Sequence, residues 1–158
     1  MKNCKKVILL LLLAFFSVLA LFYRRSLPLE KIFPTLDLSQ CTRITLQGEF
    51  YKKSPRESIA YHRAFGPGEE EFDQLLSLLK QANFRRSLWG LLPGKGTRSH
   101  PIQTGDLQWE IHCLFPDSSL RVQNFFGDFT LNFKETSSLP VLPASSQWAD
   151  AVTDFLTK

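Results

Sequence analysis

Three cysteines, three histidines and one methionine are all that this chain of 158 residues offers as soft or imidazole ligands. The histidines, His62, His100 and His112, are scattered, with no HxxxH or HExxH spacing and no CxxC pair, so no local metal-binding motif is written in the sequence. No GxSxG elbow marks a serine nucleophile. The loop "GLLPGKGT" at 90–97 has three residues where a phosphate-binding loop needs four, and Gly96 where that loop needs Ser or Thr after the lysine. Internal repeats and low-complexity stretches are absent as well. Neither a cofactor nor a metal is therefore expected, and no catalytic residue is assigned.

Acidic residues are missing from the first 25 positions, which hold Lys2, Lys5, Lys6, Arg24 and Arg25. The formal charge of +4 therefore belongs to this segment. The remainder has 14 Lys and Arg against 15 Asp and Glu, so the high pI does not argue for a nucleic-acid partner. Between the charges runs "VILLLLLAFFSVLALFY", 17 residues of which Ser17 is the clear polar exception. That run predicts a transmembrane signal anchor carried by Lys6, Val7, Leu10, Leu13, Phe16, Leu19, Phe22, Tyr23 and Arg24 and partnered by the lipid bilayer. The excess of leading lysines places the N-terminus in the cytoplasm and the remainder outside a single-pass cell membrane. The alternative is cleavage after "SVLA" at Ala20 and secretion.

The divisions expected are an anchor at 1–25, a proline-bearing stalk at 26–40 and one extracytoplasmic α+β domain at 41–158. In "CTRITLQGEFY" Ile44, Leu46 and Phe50 alternate with Arg43, Thr45, Gln47 and Glu49, the pattern of a half-buried strand. "SIAYHRAF" reads as a returning strand. Phe72, Leu75, Leu76 and Leu79 then fall at helical spacing behind a cluster of glutamates. "FRRSLWGLL" reads as a further short strand. "DLQWEIHCLF", "LRVQNFF" and "FTLNF" form a meander with turns at "PDSS" and "GD". Pro140 and Pro143 argue against regular structure in "SSLPVLPASS", and a helix carrying Trp148, Val152, Phe155 and Leu156, capped by Ser145 or Ser146, ends the chain. The fold class predicted is α+β: a mostly antiparallel sheet covered on one face by two helices.

Strand parity puts Cys113 inward and His112 outward, which argues against a Cys–His nucleophilic pair. It also puts Cys41 on the polar face if the first strand runs regularly from it. A Cys41–Cys113 disulfide then requires a bulge or an irregular strand start, and two free thiols are the alternative. Phe125 falls on the polar parity of its strand, beside Arg121 and Gln123, and marks either a second layer or a contact surface.

Taken together, "KKVILLLLLAFFSVLALFYRR", "DLSQCTRITL", "EEFDQLLSLLKQANF" and "DLQWEIHCLFPDSSLRVQNFF" resemble in pattern the small single-span or secreted extracytoplasmic proteins of unknown function in Gram-positive bacteria. The resemblance implies no activity. The function expected is that of a membrane-tethered, non-enzymatic extracytoplasmic domain binding a protein or cell-envelope component. A cryptic hydrolase or metal-dependent enzyme is the alternative, and it requires the histidines to converge with Cys or carboxylate groups.

Overall fold

The computed structural model describes residues 2–51, 58–87, 107–134 and 138–157; the loop at 90–97 and His100 lie outside them. The alternating segments form strands β2 (Arg43–Tyr51), β3 (Ser58–Phe65), β5 (Leu107–Phe115), β6 (Ser118–Phe125) and β7 (Asp128–Phe133). Shorter strands β1 (Leu27–Pro28), β4 (Asn83–Arg86) and β8 (Leu139–Pro143) complete one eight-stranded sheet in the order β1-β4-β8-β7-β6-β5-β2-β3. Every pairing among the described residues is antiparallel. The helices are α1 (Lys2–Arg24), α2 (Leu29–Ile32), α3 (Glu70–Gln81) and α4 (Ser146–Thr157), with a 3-10 turn η1 at Leu38–Gln40.

Register aligns the apolar parity of the strands. Ile44 faces Cys113 and Cys113 faces Leu120; Leu46 faces Ile111 and Ile111 faces Val122. These six residues are fully or almost fully buried, together with Leu131 and Val141 farther along the sheet. Onto them α3 brings Phe72, Leu75 and Leu79, and α4 brings Trp148, Val152 and Leu156. The Trp148 indole N–H donates to the Leu78 carbonyl at 2.7 Å, tying α4 to α3, while its ring meets Phe84 and Trp109 edge-on. Ser145 supplies the α4 cap, its hydroxyl accepting from the Gln147 N–H at 3.2 Å.

Three expectations are corrected. No helix among the described residues is long and apolar enough to cross a membrane, which removes the transmembrane anchor and the single-pass location. In α1 the apolar run at 7–23 rises only about 25 Å, short of a hydrocarbon core of about 30 Å. Val7, Leu10, Leu13, Phe16 and Leu19 are exposed, as is Lys6, and none of residues 6–21 enters the core; the side chains of Phe22, Tyr23 and Arg24 lie outside the described residues.

Nor are the helices packed on one face of the sheet as a two-helix cover. α1 meets the sheet at β4 with its apolar side chains exposed, and α2 is a single turn beside β1. Lastly, the proline-rich segment is a strand, β8, between β4 and β7. Proline lacks a donor but keeps its carbonyl, and Pro140 O accepts from Ser87 N at 3.1 Å.

Candidate functional site

The opposite parity of the central strands builds a second surface. One cross-strand row runs His62, Gln47, Glu110, Gln123, Thr130 from β3 to β7. The adjacent row runs Ala60, Glu49, Gln108, Phe125, Asp128. Side chains opposite one another on a sheet stand close enough to bond, and here they do. The Gln123 amide donates to Glu110 Oε2 at 2.6 Å, Thr130 Oγ1 donates to Gln123 Oε1 at 3.1 Å, and the Gln108 amide donates to Glu49 Oε2 at 2.9 Å.

A groove of about 670 Å³ lies over these rows. Among the described residues its lining includes the carboxylates Glu49, Glu110 and Asp128 but neither Lys nor Arg, and His62 is the one basic side chain. Negative potential is the consequence. Tyr61 and Trp109 also line it, and the Tyr61 hydroxyl and Trp109 indole N–H are buried without a hydrogen-bond partner among the described residues. Buried polar atoms of this kind are costly unless something meets them. Gly48 lines the groove opposite Trp109, where a Cβ would stand 2.7 Å from the Gln108 carbonyl oxygen and 3.1 Å from Trp109 Cβ. Only glycine permits so close an approach of the two strands.

At the rim stands the β6–β7 hairpin. Its two-residue loop is Phe126 and Gly127, with φ of 52° and 89°, the left-handed pair that a type I′ turn requires. Asn124 Oδ1 accepts from the Gly127 N–H at 2.8 Å and secures the loop. A phenylalanine at positive φ is strained, and its result is a ring pair, Phe125 and Phe126, with centroids 4.7 Å apart. Phe125 is 44% exposed and lines the groove. The turn predicted at Gly127 and Asp128 is therefore displaced by one residue. A two-residue loop ending in Gly was the available signal.

The two described histidines, His62 and His112, do not converge on a metal or a nucleophile. His62 and His112 share the polar face but stand on β3 and β5, two strands apart and about 12 Å on ideal sheet spacing. Among the described residues no group of three His, Cys, Asp or Glu is placed to hold a metal ion. His112 Nε2 is buried and unpartnered, and burial first, then the Arg121 charge, hold its pKa below the usual imidazole value against the opposing pull of Glu110.

Cys41 and Cys113 are both free and buried. Cys41 precedes β2, at the end of η1, so strand parity does not govern it and it lies in the core with Cys113.

No protein-family model matches the chain, and no curated protein or solved structure shows significant similarity to it.

Proposed function

We propose that the domain is a non-enzymatic binding module that takes an extended, basic segment of a protein partner along the polar face of the sheet. The observation that carries this is the groove lined by Glu49, Glu110 and Asp128, with no lysine or arginine among the described residues that line it, closed at one rim by the exposed Phe125. Basic side chains answer the carboxylates. An extended backbone offers both N–H and C=O groups to Gln108 and Gln123. The aromatic pair at the hairpin tip supplies apolar area at low entropic cost.

Tryptophan fluorescence titrated with lysine- and arginine-rich peptides, against glutamate-rich peptides of equal length, tests the reading, since Trp109 lines the groove. Saturable binding of the basic peptides alone, weakened by salt and about tenfold weaker in Glu110→Gln, is expected. Equal binding of the acidic peptides, or no response to Glu110→Gln, overturns it.

A second reading concerns α1 and rests on the exposed apolar side chains at 7–21 behind Lys5 and Lys6. Basic residues, an apolar helix and the small-residue site "SVLA" ending at Ala20 favour a secreted factor released by cleavage after Ala20. N-terminal sequencing of the exported product checks this: a first residue of Leu21 supports cleavage, and an intact Met1 excludes it.

A further inference from the structure

Two thiols separated by about 72 residues of chain share one buried site, and the way they come together is local. Cys113 lies in the middle of β5, opposite Ile44 of β2. Cys41 caps η1 with φ −63° and ψ 123°, immediately before β2 begins. Thr42 then grips β5 twice, its N–H and its hydroxyl both donating to the Leu114 carbonyl, at 2.8 Å and 3.1 Å. That clamp holds Cys41 beneath the sheet instead of on its polar face. The Cys113 thiol hydrogen-bonds to the Cys41 sulfur, and the Cys41 thiol donates to the Arg43 carbonyl at 3.4 Å. Both are free thiols of one buried cluster, and Cys113 is fully buried while Cys41 retains 6% exposure.

We infer that Cys41 and Cys113 form a redox-active dithiol that closes to a reversible disulfide by exchange with a small-molecule disulfide such as oxidised glutathione. Cys41 is the entry thiol and Cys113 the resolving one. The asymmetry follows from the contact between them. The hydrogen bond from Cys113 draws the Cys41 thiol below its usual pKa, whereas the same bond and then burial push Cys113 well above it. Cys41 therefore ionises first and is the thiol a reagent can reach.

The Cys41 thiolate attacks one sulfur of the external disulfide, giving a mixed disulfide and expelling one glutathione thiolate. Cys113 then loses its proton, attacks the Cys41 sulfur and expels the second glutathione. Two protein thiols are oxidised and one glutathione disulfide is reduced to two thiols. Because β2 and β5 are already paired, the bridge adds a covalent tie without a new strand contact.

Oxidised glutathione in excess over reduced is incubated with the folded full chain, followed by peptide mapping without reductant; the Cys4 peptide is scored separately. A Cys41–Cys113 linked peptide, two hydrogens lighter than the sum of its parts and released by dithiothreitol, is expected, with a melting temperature higher by on the order of 10 °C. Cys113→Ala should trap one glutathione on Cys41, and Cys41→Ser should leave Cys113 unmodified. The wild-type map decides the matter even if a variant fails to fold. Free or separately capped thiols in wild-type protein that remains folded by circular dichroism overturn the inference, as does glutathione on Cys113 with Cys41 free.

Discussion

Along β5, Trp109, Ile111 and Cys113 enter the core, while Gln108, Glu110 and His112, one residue away in each case, stand on the other face. The same five central strands thus carry two chemistries. Among the described residues the buried side holds no buried polar or charged residue, and it is maintained by exclusion of water. The other side is half-buried and held by side-chain hydrogen bonds such as Gln123 to Glu110. Burial of apolar area is cumulative and strong, whereas each exchange of water for a protein partner nets only about 1 kcal/mol. The difference teaches where stability and recognition are divided: the core face holds the strands in register, and the polar face is free to be shaped for a ligand.

The largest test of that division sets two truncations on neighbouring strands side by side. Ile111→Ala opens a cavity at a fully buried site and should cost about 4 kcal/mol in urea unfolding. Gln123→Ala removes the bonds to Glu110 and Thr130 on the half-buried face and should cost about 1 kcal/mol. Equal losses would break the comparison.

Gly48→Ala comes next, at about 2 kcal/mol, because the added carbon meets the Gln108 carbonyl and the Trp109 Cβ on the paired strand, backbone that yields poorly. Its loss should appear as a lower urea midpoint with an unchanged m-value. If Gly48 matters only for stability, peptide binding survives in the folded fraction; if it also seats Trp109, binding falls with it.

Period-two alternation made this two-faced character readable from the sequence: Ile44, Leu46, Ile111 and Cys113 were separable from Gln47, Glu49 and Glu110 by parity alone. The groove was not readable, because it depends on which rows face one another across five strands. Parity carries no register. Parity puts Cys41 on the polar face only if the strand runs from it, and the strand begins at Arg43. β8 was missed because two prolines were weighed as lost donors while their carbonyls were ignored. The spanning reading of the N-terminal run rests on its hydrophobicity and flanking charges, but no described helix is long and apolar enough to cross a membrane, and the two-helix cover assumes a tidier helix layer than these helices form. Phe125 alone carried a sequence-level hint of the site, as an aromatic on the wrong parity.

His112 gives the finest test, because there the two faces are least distinct. It belongs to the polar parity, yet its Nε2 is buried without a partner and burial is the chief cause of its lowered pKa, with Arg121 second and Glu110 opposing. The unfolded chain, with an ordinary imidazole pKa of about 6.5, binds its proton more readily than the folded one. The contribution of His112 is therefore flat above about pH 7 and declines as the pH falls through about 6.5 toward the folded value. His112→Gln should remove that part of the slope when urea midpoints are compared between pH 7.5 and 5. Arg121→Gln should only lessen it, since burial remains. A slope unchanged in His112→Gln would mean that this imidazole is fully solvated, and that the polar face has no half-buried interior near β5 for a ligand to use.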